Sequence, residues 1–199
     1  MKLGLLDSPE LIELAAGWLA RKDIYQWLDF GGGRQIVTPA LLKVMTQRDS
    51  HFIRIYTSDR GTPIGIVALN SVDRTNRTGT LWGATGDTSF RHRGYGTFAA
   101  SRLLSLAFAE LGLRSVNTWL VEHNPSARVL ERLNFRYMGR QRQAHCIDGR
   151  VYDRLWFDLL AGEHREIQRS HDNTVGASGR SRVVGGNGRA ASPDTPVPC

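Results

Sequence analysis

The feature that most limits the fold is a pair of glycines at the start of a predicted helix, in the stretch FRHRGYGTF. Gly94 and Gly96 precede an apolar run that continues to about Leu111, where Gly112 supplies a C-terminal cap. Glycine is about 1 kcal/mol less favourable than alanine inside a helix, so this pair indicates that the backbone there must stay bare. A helix N-terminus is an anion site, and glycines let a phosphate approach its N–H groups closely.

The segments around this loop predict a mixed α/β chain. Ser8 and Thr38 are each followed by proline, which is a helix start signal, and they predict one helix to about Arg21 and another across ALLKVMTQR. The stretches FIRIYTS, PIGIVALNSV and TLWGATG predict three strands joined by turns ahead of the glycine loop. After the glycine-led helix, RSVNTWLVE predicts a strand and PSARVLERL a short helix, and two last strands close on a turn at Asp148–Gly149.

Two common phosphate-binding loops are excluded by the spacing of the glycines. The chain has no G-x-x-x-x-G-K-[ST] motif, so it is not a P-loop nucleotidase. A dinucleotide-binding fold would have a third glycine and a parallel βαβ unit at the start of the domain, whereas this loop follows a predicted antiparallel meander. The pattern that remains is R-x-x-G-x-G, formed by Arg91, Gly94 and Gly96.

This pattern resembles the acetyl-CoA pyrophosphate loop of the GNAT N-acetyltransferase superfamily. The downstream segment VEHNPSARVLERLNFRYMG resembles the next signature of that superfamily, one helix and one strand further along the chain. The resemblance covers roughly Phe52 to Leu159 and is strongest to the branch that includes ribosomal-protein and spermidine acetyltransferases. It implies a GNAT-like α/β (α+β) fold with a mixed central sheet flanked by helices. It also implies acetyl-CoA as co-substrate, no metal, and direct acetyl transfer to a primary amine of a small molecule or a protein N-terminus.

The chain departs from the superfamily pattern at the start and in the middle of the short helix. Relatives usually carry asparagine three residues before the serine, but here His123 stands at that distance from Ser126 and Asn124 is two residues away. Either Asn124 keeps the contact with pantetheine through a shorter turn, or His123 replaces it. The tyrosine that many relatives use as a general acid is missing from the stretch VLE.

By resemblance, two groups of residues surround the thioester. Backbone groups of the strand before the loop would contact pantetheine and polarise the carbonyl, and the loop would hold the pyrophosphate. The implied donor-binding residues are Ala84, Gly86, Arg91, Arg93, Gly94, Gly96, Thr97 and Asn124. The catalytic candidates are Ser126, Glu122, His123 and Asp87.

Each catalytic candidate has a structural alternative. Ser126 is expected near the thiol as a hydrogen-bond donor or proton source, yet a residue at this position also caps a helix. Glu122 and His123 end a strand that faces the thioester and could act as a base or position water, although a lone histidine often has only a structural role. Asp87 could bind the amine or only cap the loop.

The acceptor side is implied by the aromatic segment YQWLDFGGGRQ. In the resembling fold the first helices form the wall of the acceptor pocket, so Trp27, Asp29 and Phe30 are candidate substrate contacts. The alternative is that they are core aromatics next to a flexible loop. The other tryptophans in predicted strands, Trp82, Trp119 and Trp156, are expected in the core.

Composition sets the remaining expectations. The 199-residue chain has 26 Lys and Arg against 19 Asp and Glu, a net charge of +7, which suits a phosphate-rich ligand or a nucleic acid. It has no zinc-finger spacing, basic zipper or RNA-binding motif, so we do not expect nucleic acid as a partner. It has neither a secretory signal pattern nor an apolar run long enough to span a bilayer. We therefore expect a cytoplasmic protein without membrane association, either monomeric or homodimeric.

The composition changes at residue 161, after which Gly, Ser, Arg and Pro dominate. Such a segment cannot bury enough apolar surface to offset its ordering entropy. We therefore predict an acetyltransferase domain over 1–160 and a mostly disordered tail over 161–199. The missing tyrosine leaves open an alternative function, a non-catalytic CoA-binding or regulatory GNAT-like module.

Overall fold

The computed structural model describes residues 1–30 and 37–168. In this part of the chain a seven-stranded sheet has the order β1-β2-β3-β4-β5-β7-β6, and all neighbours are antiparallel except β4 and β5. The predicted mixed sheet flanked by helices is confirmed. The strands are β1 (Leu3–Leu5), β2 (Phe52–Thr57), β3 (Pro63–Asp73), β4 (Thr78–Thr85), β5 (Ser115–Val121), β6 (Arg136–Ile147) and β7 (Arg150–Leu160).

Two of the described helices begin where the sequence places start signals. The hydroxyls of Ser8 and Thr38 accept hydrogen bonds from the backbone N–H groups of Leu11 and Leu41, at 3.3 and 3.2 Å, which satisfies unpaired donors of the first turn. The helices are α1 (Pro9–Leu19), α2 (Lys22–Tyr25), α3 (Pro39–Thr46), α4 (Tyr95–Ala109) and α5 (Ala127–Arg132). The sequence did not predict α2 or β1, because four and three residues are too short to display a periodic pattern.

Each face of the sheet carries its own apolar core. On one face, α4 and α5 pack over β3, β4 and β5, with Leu69, Leu103 and Val116 fully buried. On the other face, α1 and α3 pack over β2 and β3, with Leu19 and Ile66 fully buried. Because helices cover both faces, the middle strands are held rigidly in place.

The two parallel strands separate towards their carboxyl ends. Within the described residues, β4 and β5 pair only from Thr78–Ser115 to Thr80–Asn117. β4 continues to Thr85 along β3, and β5 continues to Val121 along β7. A wedge-shaped opening therefore forms between the ends of β4 and β5, in the middle of the sheet.

The β6–β7 hairpin closes as predicted. Asp148 and Gly149 both have positive φ, 51° and 76°, as a two-residue hairpin turn requires. Beyond β7, residues 161–168 pack along α4, where the N–H of Ile167 donates to the Ser101 hydroxyl at 2.8 Å. The rest of the predicted tail, 169–199, lies outside the described residues. No helix in the described part of the chain is both long and apolar enough to cross a membrane.

Candidate active site

The glycine loop gives α4 an open N-terminus. Gly94 is the N-cap and has φ +82°, a left-handed conformation that side-chain-bearing residues rarely adopt, and no side chain caps the helix. Ahead of it, the Asp87 carboxylate accepts hydrogen bonds from the N–H and the hydroxyl of Ser89 at 2.9 and 2.7 Å, and so stabilises a short 3₁₀ turn. The first turn of α4 is thus available to an anion.

This N-terminus faces the free end of β4. A Cβ at Gly96 would lie 3.5 Å from the hydroxyl of Thr85, the last residue of β4. The buried Tyr56 hydroxyl shares a hydrogen bond of 2.7 Å with that Thr85 hydroxyl and donates to the carbonyl oxygen of Ala84 at 3.3 Å. Thr97 is buried at the start of α4. The structure therefore brings the glycine loop and the wedge-shaped opening together.

Gly86 follows β4 and has no room for a side chain. Its N–H donates to the carbonyl oxygen of Ile64 at 2.9 Å, and a Cβ would come within 2.0 Å of the Trp18 ring. The carbonyl oxygen of Gly86 accepts a hydrogen bond from Arg21 at 2.6 Å. Packing against α1 therefore explains this glycine, and Arg21 ties the end of α1 to the loop.

The loop arginines lie near the α4 N-terminus. The Arg91 guanidinium forms an ion pair with Asp23 of α2, and Arg21 binds the same carboxylate through two nitrogens, at 3.1 and 2.7 Å. Hydrogen bonds from Arg21 and Arg91 hold the pKa of Asp23 far below its ordinary value. The exposed Arg93 guanidinium lies 5.7 Å from the centre of the Phe90 ring.

The end of β5 carries most of the catalytic candidates, in different environments. The Glu122 carboxylate accepts a hydrogen bond from the N–H of Asp153 at 3.0 Å, so it extends the pairing of β5 with β7. His123 is exposed and has φ +69°. Asn124 is buried, and its side-chain oxygen accepts from the N–H of Ser126 at 2.8 Å. Ser126 is exposed at the N-cap of α5, and its hydroxyl makes no capping bond.

The predicted acceptor segment crosses the opening on the α1 face of the sheet. Phe30 packs edge-on against Trp82 of β4, with ring centres 4.9 Å apart. Asp29 forms an ion pair of 2.6 Å with Arg154 of β7. Trp27, two residues before Asp29, is half-buried. Residues 26–30 therefore span from β4 to β7, over the end of β5.

Arg154 connects this segment to the β6–β7 hairpin. Its guanidinium lies 4.1 Å from the centre of the Trp119 ring and donates to Nδ1 of the buried His145 at 3.2 Å. The other ring nitrogen of His145 donates to the carbonyl oxygen of Gln26 at 2.7 Å. Burial is the main cause that lowers the pKa of His145, so the ring is neutral near pH 7.

Comparison with known proteins decides the family. The model of the GNAT acetyltransferase domain matches residues 5–136, about two thirds of the chain. The chain belongs to the GNAT acetyltransferases. This is the family that the R-x-x-G-x-G loop predicts.

Relatives of this GNAT chain agree with the predicted branch. It is 29% identical over 106 residues to a Bacillus subtilis protein named "Putative ribosomal N-acetyltransferase YdaF", a match over 52% of this chain and 56% of that relative. The chain thus spans little more than half the length of this curated relative. Two solved structures share the fold. Spermidine N-acetyltransferase from Vibrio cholerae in complex with CoA and spermine has a TM-score of 0.71 and 16% identity, over 81% of this chain and 96% of that one. A crystal structure described as a probable acetyltransferase has a TM-score of 0.67 and 22% identity, over 79% and 91%.

Sequence reasoning missed several residues that shape this GNAT site. The strand tryptophans Trp82, Trp119 and Trp156 were expected in the core, but all three are only half-buried. Trp82 packs against the core on the α1 face. Trp82 and Trp119 also flank the opening. Arg21, His145 and Arg154 carried no local motif. The described residues contain no group of three or more His, Cys, Asp or Glu side chains that could hold a metal ion.

Proposed function

We propose that this GNAT chain transfers the acetyl group of acetyl-CoA to a primary amine of a small molecule or a protein N-terminus, by direct attack in a ternary complex. One observation carries the proposal: the opening between β4 and β5 meets the glycine-led N-terminus of α4. A thioester in that opening and a pyrophosphate at that helix end would belong to one ligand.

The donor would bind at two places. The first turn of α4 would bind the pyrophosphate through its N–H groups, with help from Arg91 and Arg93. The backbone of β4 near Ala84, left without a β5 partner, would pair with the pantetheine amides. On the other side of the opening, the buried Asn124 would complete the contact with pantetheine. Gly96 and Thr97 would lie on the path from loop to strand, and Gly86 would shape that path by letting the loop pack closely against Trp18.

The chemistry requires one bond to form and one to break. The amine nitrogen attacks the thioester carbonyl carbon, the C–S bond breaks, the amine loses a proton and the CoA thiolate gains one. Ser126 has a hydroxyl not used in capping, which supports a role as proton donor to the thiolate. Glu122 and His123 at the end of β5 would position the water that accepts the amine proton. Asp87 would contribute negative charge near the incoming amine.

The acceptor would enter from the α1 face, past the segment 26–30. Trp27, Asp29 and Phe30 would form its wall, which is supported by the contacts of Asp29 and Phe30 across the opening. The names of the relatives, a ribosomal and a spermidine N-acetyltransferase, support an amine acceptor of this general kind. We also propose a cytoplasmic location, where acetyl-CoA and such amines meet.

A non-catalytic CoA-binding module is the alternative, and it rests only on the missing tyrosine of α5. The proposed enzyme uses other groups for the proton, so this absence does not exclude turnover.

The test is release of the CoA thiol from acetyl-CoA with a panel of amines: a polyamine, an aminosugar nucleotide, an antibiotic amine, an amino acid and a peptide N-terminus. Gly94→Val should abolish turnover and donor binding, because valine cannot adopt φ +82° without strain. Gly17→Ala is the matched control, since an added Cβ at this exposed helix position meets no atom within 4 Å.

The outcomes separate the two functions. Turnover of at least one amine, lost in Gly94→Val and kept in Gly17→Ala, supports the enzyme. Donor binding without turnover of any amine supports the binding module instead. No donor binding by the wild type contradicts both.

A further inference from the structure

The guanidinium of Arg154 occupies a small cation site on the acceptor side of the opening. A carboxylate oxygen of Asp29 lies 2.6 Å from it, the Trp119 ring lies 4.1 Å away, and Nδ1 of His145 lies at 3.2 Å. A carboxylate, an aromatic face and a nitrogen lone pair each attract a positive charge. The protein thus occupies this cation-binding site itself, with the side chain of Arg154.

The histidine of this cation site is fixed in the form that accepts a hydrogen bond from a cation. Nε2 of His145 bonds to a carbonyl oxygen, that of Gln26, so Nε2 must carry the proton. Nδ1 of the neutral ring therefore presents a lone pair to Arg154. The ring is buried and held from both sides, which leaves little freedom to rearrange.

The cation site lies where an acceptor would pass. Arg154 faces Val121, the last residue of β5, across the β5–β7 pairing, and Trp119 belongs to the part of β5 that has separated from β4. The segment 26–30 contacts Arg154 through Asp29 and Trp82 of β4 through Phe30. A long acceptor with its reactive amine in the opening would extend its other end towards Arg154.

Four carboxylates in α2, at the end of β5 and in the β6–β7 hairpin already have partners. Asp148 forms an ion pair with Lys22 at 2.6 Å, and Asp153 forms one with Arg140 at 3.0 Å. Asp23 is bound by Arg21 and Arg91, and Glu122 accepts from a backbone N–H. A second ammonium group that reached one of these four carboxylates would have to displace its partner.

We propose that Arg154 selects against polycationic acceptors by occupying the site that a second positive charge would need. This inference rests on the proposed function and names its substrate class: a single reactive amine attached to a neutral or anionic body. The Arg154 side chain is only 15% exposed, so an acceptor ammonium cannot simply bind beside it.

The first experiment measures binding of spermidine by calorimetry, without acetyl-CoA. Arg154→Ala empties the site and should bind spermidine at least tenfold more tightly than the wild type does. Arg154→Lys restores a cation and should not gain affinity. Arg142→Ala removes the same charge from an exposed side chain of the neighbouring strand β6 and should behave like the wild type. Equal spermidine affinity in the wild type and Arg154→Ala would overturn the proposal.

The second experiment compares 4-amino-1-butanol with 1,4-diaminobutane as acceptors. The two have the same length, but the first carries a hydroxyl group where the second carries another ammonium group. The wild type should use the aminoalcohol with at least tenfold higher kcat/KM, and Arg154→Ala should reduce that ratio at least tenfold. If Arg154→Ala does not fold, the wild type still decides, because preference for the diamine or tight spermidine binding overturns the proposal. Failure of the proposed function would appear differently, as no turnover of any amine.

Discussion

The guanidinium of Arg91, in the glycine loop before α4, forms an ion pair with the carboxylate of Asp23 in α2. Arg91 is also the arginine of the R-x-x-G-x-G pattern and a proposed phosphate ligand. The Asp23 carboxylate keeps its hydrogen bonds without Arg91, because Arg21 binds both of its oxygens. Arg21 also binds the carbonyl oxygen of Gly86. Arg91 can therefore turn towards a phosphate without leaving Asp23 unsatisfied.

Asp23→Asn should strengthen acetyl-CoA binding. The variant releases Arg91 from a competing partner, and both side chains of the ion pair are partly exposed, at 30% and 44%. Exposed pairs of this kind contribute about 0.2–1 kcal/mol, which corresponds to at most about a fivefold change in Kd. Calorimetric titration with acetyl-CoA measures it. Asp148→Asn, which removes the ion pair of Lys22 in α2, should leave Kd unchanged. Weaker binding by Asp23→Asn would mean that Asp23 orients Arg91 for the phosphate.

Gly96→Ala should separate folding from donor binding. The new Cβ would lie 3.5 Å from the Thr85 hydroxyl, an ordinary contact, and the backbone has no positive φ there. Alanine is about 1 kcal/mol better than glycine within a helix, so Tm should be equal or higher. The methyl group would nevertheless stand between the α4 N-terminus and the end of β4, and we expect at least a tenfold loss of acetyl-CoA affinity. A variant that keeps both Tm and affinity would show that Gly96 is not on the donor path.

The local parts of this fold were predictable from sequence. Ser8 and Thr38 start helices because a hydroxyl before proline satisfies unpaired N–H groups within three residues, a signal that needs no tertiary context. Gly94 could also be predicted locally, because glycine is unfavourable at a helix start unless the backbone there must stay bare. Asp148 and Gly149 likewise predict their hairpin turn.

The contacts between residues far apart in the chain were not predictable from sequence. Asp29 and Arg154 are 125 residues apart, and only the strand order β5-β7-β6 brings Arg154 over Trp119 and beneath the segment 26–30. Each strand tryptophan fits a core position by alternation alone, and whether it is covered depends on the separation of β4 from β5. Glu122 illustrates the same limit, because its bond to the N–H of Asp153 depends on the register of β5 against β7.

Tyr56→Phe should reveal a buried hydroxyl that stabilises the end of β4. Burial raises the pKa of Tyr56 to about 12 from an ordinary value of 10.0, despite its hydrogen bond to Thr85. The unfolded chain therefore ionises this tyrosine first. Its contribution to stability is complete below pH 10 and declines as the pH rises from 10 towards 12, by up to about 1.4 kcal/mol per pH unit.

Urea unfolding at pH 8 and at pH 11 measures the effect. At pH 8 the wild type should be more stable than Tyr56→Phe by about 1–2 kcal/mol, the cost of losing a buried hydrogen bond. At pH 11 this difference should shrink or reverse, because only the wild type must keep the buried group protonated. A difference that is the same at both values would place the Tyr56 hydroxyl in contact with water.

His145→Gln should remove an acid-sensitive contact between α2 and the hairpin. The pKa of His145 lies below its ordinary value of 6.5, mainly through burial; the positive charge of Arg154 also lowers it, while the Gln26 carbonyl and Asp29 oppose the shift. As the pH falls below about 6.5 the unfolded chain takes up the proton first, so the wild type loses stability there. Glutamine does not titrate, and its amide can still donate to Gln26.

The stability difference between the wild type and His145→Gln should therefore be larger at pH 7.5 than at pH 5. Burial also lowers the pKa values of His51 and His164, but both are present in either protein, so their effects cancel in the difference. Chemical unfolding at the two pH values measures it. Protonation of His145 requires Nδ1 to release its bond to Arg154, so acceptor KM should rise more at pH 5 in the wild type than in His145→Gln, because the loss of free amine at low pH affects both proteins equally. A KM that rises equally in His145→Gln would assign the acid effect to another group and leave Arg154 fixed by Asp29 alone.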